Sequence, residues 1–113
     1  MSRGPVSERA LEEALALARK RGIIIPIRPG RDSPCSFQVV GRSELVFVTV
    51  KLSRQFHGIA EDIGHQYRED IFRLRIIIGP PGTRRELWVR SRYGRWRFFD
   101  VTDSGITEVM VMA

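Results

Sequence analysis

The stretch CSFQVVGRSELVFVTVK, residues 35–51, decides the fold because it alternates in polarity on both sides of a short turn. Residues 35–40 and 44–51 predict two antiparallel strands joined through residues 41–43. Alternate side chains of the second strand point to opposite faces of the sheet. The set at positions 46, 48 and 50 consists of valines and predicts a core face. The other set ends in a polar tip formed by Thr49 and Lys51.

A helix and a short strand precede this hairpin. Pro5 and a Ser7 N-cap predict where the helix begins, and Gly22 after a basic last turn predicts its end about fifteen residues later. Apolar residues at three- and four-residue spacing form its buried stripe: Ala10, Leu11, Ala14, Leu15 and Ala18. The isoleucines at 23–25 predict a short buried strand that stops at Pro26.

Downstream of the hairpin, the pattern predicts a second helix and further strands. The helix begins near Gly58, and residues 73–78 fit either its last turn or a separate strand. The GPPG sequence at 79–82 interrupts the chain in both cases. A second hairpin and a terminal strand follow, over residues 86–91, 95–101 and 106–111. The order α-β-β-β-α-β-β predicts one α/β domain over residues 1–113, a mixed β-sheet flanked by helices.

The composition fits a folded domain with a basic surface. Of the 113 residues, 42% are hydrophobic, and 19 basic against 13 acidic residues give a net charge of +6. Much of the excess is arginine, which suits phosphate contacts. The single cysteine, Cys35, cannot form an internal disulfide, and no apolar stretch reaches the roughly 20 residues that span a bilayer. We therefore expect a cytoplasmic protein with no membrane partner.

Two segments, SFQVVG at 36–41 and LVFVTVK at 45–51, stand before the predicted second helix. Together with that helix they resemble the core of the PD-(D/E)XK nuclease superfamily, which includes restriction endonucleases and archaeal Holliday-junction resolvases. In that family the first strand carries an aspartate and the second a Glu-x-Lys. The resemblance implies a restriction endonuclease-like fold, with Gln38 at the Asp position, Thr49 at the Glu position and Lys51 at the Lys position.

The resemblance also implies a degenerate catalytic site. In the family, two carboxylates hold Mg²⁺, the metal activates water, and the lysine assists. Gln38 and Thr49 carry no charge, so we expect no cofactor; an active nuclease would need Mg²⁺ and carboxylates from elsewhere. Glu8 in the first helix and Asp32 in the turn region are candidates, whereas alternation places Glu44 on the face opposite Lys51.

Strand parity tests whether Gln38, Thr49 and Lys51 can occupy the three family positions together. Gln38 shares a face with Thr49 and Lys51 only if the loop between the two strands has an even number of residues, for instance a two-residue turn at residues 42–43. A three-residue loop would separate them.

The predicted C-terminal hairpin interleaves arginines with aromatic residues, a combination that nucleic-acid-binding surfaces use for phosphates and bases. The candidate nucleic-acid contacts are Arg90, Arg92, Arg95, Arg97, Lys51 and Arg54. The same alternation fits a structural interpretation, in which the aromatic residues belong to the core and the arginines form a solvated outer face. His57 and His65 flank Glu61 at helical spacing, but a surface position explains them better than an acid/base or metal role.

Three hypotheses follow. The preferred one is a nuclease-like, catalytically inactive domain that binds nucleic acid, DNA rather than RNA, through its basic surface. The alternative is a structural or protein-interaction domain that forms a homodimer and has no nucleic-acid partner. The third is an active Mg²⁺-dependent nuclease of resolvase type that uses Lys51 with carboxylates recruited from elsewhere.

Overall fold

A computed structural model describes residues 8–28, 30, 33–53 and 58–109. It has three helices and six strands in that part of the chain: α1 (Glu8–Ala18), β1 (Ile23–Pro26), β2 (Phe37–Val40), β3 (Leu45–Ser53), α2 (Ala60–Gln66), α3 (Arg68–Arg75), β4 (Thr83–Ser91), β5 (Trp96–Thr102) and β6 (Gly105–Val109). The strands form one mixed sheet with helices on both faces. This confirms the predicted fold class.

The sheet has the strand order β1-β2-β3-β4-β5-β6. All neighbouring pairs are antiparallel except β3 and β4, which are parallel and are connected through α2 and α3. In this parallel pair Lys51 lies beside Val89, and Ser53 lies beside Ser91. The carboxyl ends of both strands therefore meet at the same edge of the sheet.

The hairpin between β2 and β3 meets the parity condition. Val40 pairs with Leu45, which leaves four residues between the strands, and the Gly41 amide donates a hydrogen bond of 2.9 Å to the Glu44 carbonyl. The even number of loop residues places Gln38 on the same face as Thr49 and Lys51.

Helix α1 covers one face of the sheet. Its buried residues Ala10, Ala14 and Ala18 recur every four positions, so the small side chains allow the helix to approach the strands closely. The core beneath it consists of Phe37, Val39, Val46, Val48, Val50 and Trp88. The predicted buried stripe of the first helix is confirmed for these alanines, while the predicted caps at Pro5 and Ser7 lie outside the described residues.

Helices α2 and α3 cover the other face, over a second core that includes Ile63, Ile71, Leu74, Leu87 and Phe99. Both faces of β3 are thus covered, since a strand with a parallel neighbour has helices on both sides of the sheet. Thr49, predicted to lie in an open polar tip, is only 7% exposed.

The single helix predicted from Gly58 onwards is two helices. The backbone leaves helical geometry at Tyr67, with φ −111° and ψ 30°, and α3 starts at the next residue. The helix ends at Arg75, so residues 73–78 contain its last turn and not a separate strand. Among the described residues, no helix is long and apolar enough to cross a membrane.

Candidate functional site

Polar side chains lie at the carboxyl end of β3, on the face that α2 and α3 cover. Thr49, Lys51 and Ser53 alternate along the strand and therefore share that face. Lys51 is partly exposed, whereas Thr49 and Ser53 are buried. Gln38 lies on the same face of β2, where it pairs with Phe47, two residues before Thr49 and four before Lys51.

The ammonium group of Lys51 faces a carboxylate from α3. Its Nζ lies 3.5 Å from Oδ1 of Asp70, and the two side chains are 31% and 21% exposed. The sequence pattern did not point to Asp70, because only the packing of α3 on β3 brings it to Lys51. Lys51 thus has an anionic partner in the folded protein and still reaches solvent.

The hydroxyl of Thr49 is buried and has no hydrogen-bond partner within the described residues. Ser36 holds the strand on both sides of it: the Ser36 amide donates to the Val48 carbonyl at 2.8 Å, and its Oγ accepts from the Val50 amide at 3.0 Å. The backbone around Thr49 is therefore fixed, while its hydroxyl is left unsatisfied. Such a group costs free energy where no water or ligand reaches it.

Tyr67 closes the inner side of this region. Burial raises the pKa of its phenol, although a hydrogen bond with Ser53 opposes the shift. Gln66 Nε2 donates to the same phenolic oxygen at 3.3 Å. Nothing in the sequence links Tyr67 to Ser53, because only the packing of the helices on β3 brings the two together.

The turn between β4 and β5 borders the same edge of the sheet. Ser91 organises it, because its Oγ accepts hydrogen bonds from the amides of Tyr93 at 3.2 Å and Arg95 at 2.9 Å. Gly94 has a φ of +92°, a backbone conformation that residues other than glycine rarely adopt. The turn is thus shaped by its own residues.

Three side chains of this turn project into solvent. Tyr93 is 85% exposed, and the guanidinium of Arg92 lies 5.5 Å from the centre of its ring. Arg95 is also exposed. An arginine beside a solvated aromatic ring offers contacts to both phosphates and bases.

Arg90 has a different role from its neighbours. It is 8% exposed and points to the α1 face, where Nε and Nη2 donate to the two carboxylate oxygens of Glu13 at 3.0 and 2.9 Å. These bonds, together with one from the indole of Trp96, lower the pKa of Glu13. Arg90 therefore fastens α1 to the sheet.

Arg97 is also committed to contacts within the fold. Nε and Nη2 donate to the carboxylate of Glu108 at 2.9 and 2.6 Å, and Nη1 donates to the carbonyl of Gly58 at 2.6 Å. The pair joins β5 to β6 and to the start of α2. Of the other predicted nucleic-acid contacts, Arg92, Arg95 and Lys51 reach solvent, and Arg54 lies outside the described residues.

Of the carboxylates considered as substitutes, Glu44 lies on the face opposite Lys51. Glu44 contacts Arg21 and Arg84 on the α1 face, as strand parity predicted. Glu8 is exposed on α1, and Asp32 lies outside the described residues. His65 is exposed, and His57 is not described either. Within the described ranges, no group of three His, Cys, Asp or Glu residues could hold a metal ion.

Cys35 lies next to the polar group but is a core residue. It is 7% exposed, and burial raises the pKa of its thiol to about 11. A thiol with this pKa carries almost no thiolate at neutral pH.

The fold has a counterpart among solved structures. The chain is similar to Hjc of Archaeoglobus fulgidus, a Holliday junction resolvase from an archaeal hyperthermophile, with a TM-score of 0.53. The fold is restriction endonuclease-like. The match covers 91% of this chain and 87% of the resolvase, at 16% sequence identity, so it supports the fold and leaves the activity open. No family model matches the sequence, and no curated protein does.

Proposed function

We propose that the domain binds DNA through the edge of the sheet formed by the carboxyl ends of β3 and β4, without cleaving it. One observation carries the proposal: the parallel register sets Ser53 beside Ser91, so Lys51 and the β4–β5 turn lie at one edge. In open α/β sheets, ligands bind outside the carboxyl ends of the strands. Lys51, Arg92 and Arg95 are the proposed phosphate contacts, with Tyr93 beside them.

Two arginines of the β4–β5 turn support a positive charge at this edge. Six acidic side chains are paired with other basic residues of the chain: Glu13, Glu44, Asp70, Glu86, Asp100 and Glu108. Arg92 and Arg95 make no ion pair with any described residue, and their charges add to a chain of net charge +6. A positive edge of this kind raises the rate and strength of association with a polyanion.

The proposed absence of cleavage rests on the charge at the metal position. Mg²⁺ binds through one or two carboxylates and keeps several waters. Around Lys51 the described residues supply one carboxylate, Asp70, which already neutralises the lysine. Gln38 and Thr49, at the positions where the family has carboxylates, carry no charge, so we expect Mg²⁺ binding to be weak and DNA strands to stay intact.

Single charge removals test the proposed edge. We would measure the affinity for a labelled duplex, a single strand and a four-way junction over a range of salt, for the Arg92→Gln and Arg95→Gln variants. Arg42→Gln is the matched control, because Arg42 is equally exposed in the β2–β3 turn at the opposite end of the sheet. Each edge variant should lower the salt slope by about 1, and the control should leave it unchanged.

The outcomes separate the hypotheses. Salt-dependent binding that Arg92→Gln and Arg95→Gln weaken, with intact strands in the presence of Mg²⁺, supports the proposal. Strand cleavage that requires Mg²⁺ would favour an active nuclease. Equal loss in the Arg42→Gln control would place the contact elsewhere, and no binding at low salt would remove both nucleic-acid hypotheses.

A second candidate function is self-association through β1. Ile23 and Ile25 are 71% and 43% exposed on this edge strand, and Val40, paired with Ile23 on β2, is 36% exposed. Helices α2 and α3 pack on β3 to β6, so this apolar patch stays open. Ile23→Glu should convert a dimer to a monomer in light scattering, whereas Ile78→Glu, at a 92% exposed isoleucine, should not.

A further inference from the structure

A concave feature lies on the α1 side of the β4–β5 turn. It is a cavity of about 280 Å³ lined by Glu13, Ala16, Leu17, Lys20, Gly94 and Trp96, and we call it the Trp96 pocket. Its walls come from the outward side of α1 and from the turn that carries the proposed phosphate contacts. The pocket therefore adjoins the edge at which the nucleic-acid backbone is proposed to run.

The aromatic wall of this pocket is held in place. The indole Nε1 of Trp96 donates to Glu13 at 3.1 Å, and the ring stacks on Phe98 with 6.1 Å between centroids and 12° between planes. Since Glu13 also accepts both hydrogen bonds from Arg90, the orientation of the indole depends on a buried arginine. A fixed ring is a better stacking platform than a mobile one, because less side-chain entropy is lost on binding.

The walls opposite the indole consist of small residues, and the rim of the pocket carries a positive charge. Ala16 and Gly94 leave room beside the indole, and Lys20 lies at the rim. The carboxylate of Glu13 is the pocket's acidic group, and Arg90 neutralises it. Base stacking on an aromatic ring next to a cationic backbone contact is the usual way in which proteins hold unpaired nucleotides.

We propose that the Trp96 pocket accepts one unpaired base of a DNA strand whose phosphates lie on Arg92, Arg95 and Lys20. This inference rests on the proposed DNA-binding function and specifies its substrate: DNA that contains an unpaired nucleotide, in preference to a fully paired duplex. The base would be held by stacking on the indole. The pocket would therefore distinguish an unpaired base from a paired one, but it would not distinguish one base sequence from another.

The test uses two short duplexes that differ by one central unpaired 2-aminopurine nucleotide, titrated into the 113-residue protein. The wild type should bind the bulged duplex about 5- to 100-fold more tightly, with quenched 2-aminopurine fluorescence. Ala16→Leu fills the pocket from an exposed helix position and should abolish the preference and the quenching, leaving affinity for the paired duplex unchanged. Ala16→Ser leaves the pocket open and should behave like the wild type.

Two kinds of result would contradict the inference, and they can be told apart. Equal affinity for the two duplexes in the wild type, or a preference that survives in Ala16→Leu, would refute the pocket while leaving DNA binding at the edge intact. Binding of neither duplex at low salt would refute DNA binding and this inference together.

Discussion

The unsatisfied hydroxyl of Thr49 leads to a quantitative prediction. The side chain is 7% exposed, and its Oγ1 has no hydrogen-bond partner in the described part of the chain. Valine has nearly the same shape, and both residues are β-branched, so Thr49→Val keeps the packing of β3 and removes one buried polar atom. An unpaired buried hydroxyl costs about 1–3 kcal/mol. Thr49→Val should therefore raise the free energy of unfolding by about 1 kcal/mol, or the melting temperature by about 4 °C.

Thr83→Val is the control for this measurement. The Oγ1 of Thr83 donates to the Pro80 carbonyl at 2.6 Å, so the same change removes a hydrogen bond there. Thr83→Val should lower stability by about 0.5–1.5 kcal/mol. Urea unfolding followed by tryptophan fluorescence measures both variants. A loss of stability in Thr49→Val equal to that of the control would refute the reasoning, because it would mean that the Thr49 hydroxyl has a partner.

Three further predictions concern buried and paired groups. Burial alone would raise the pKa of Glu86, but hydrogen bonds from Arg21 and the Trp88 indole outweigh burial and lower this pKa. The ionised carboxylate therefore stabilises the folded state at neutral pH, and this stabilisation is lost as the pH falls through the pKa of Glu86 in the folded protein. Acid unfolding should accordingly begin at higher pH in Arg21→Met, as pH-dependent unfolding curves would show. Cys35, with a pKa of about 11, should react with iodoacetamide at pH 8 only after unfolding, and fast alkylation of the folded protein would contradict its burial. Asp70→Asn should increase DNA affinity several-fold at low salt, because it frees Lys51; unchanged affinity would mean that Lys51 does not contact DNA.

The fold could be predicted from local patterns because they agreed with one another. Period-two alternation in residues 35–51 and alanines at four-residue spacing in α1 each specify one buried face. Parity alone placed Glu44 opposite Lys51, and the contact between Glu44 and Arg21 bears this out. The break at Tyr67 could not be seen, because the helical spacing of the apolar residues continues through it.

The candidate site was only partly predictable. Sequence singled out the arginines of the C-terminal hairpin but could not separate structural from free ones. The difference depends on acids far away in the chain: Glu13 is 77 residues from Arg90, and Glu108 reaches Arg97 only once β6 pairs with β5. Asp70 is likewise a neighbour of Lys51 through tertiary packing alone.

The most direct test of the central claim is a map of the bound surface. We would titrate ¹⁵N-labelled protein with duplex DNA at low salt and follow the amide chemical shifts. We expect the largest changes at residues 49–53 and 91–96, at the carboxyl edge of β3 and β4, and small changes at residues 41–44 and 76–82 at the opposite end. Changes concentrated at residues 41–44 and 76–82, or none at any salt concentration, would contradict it.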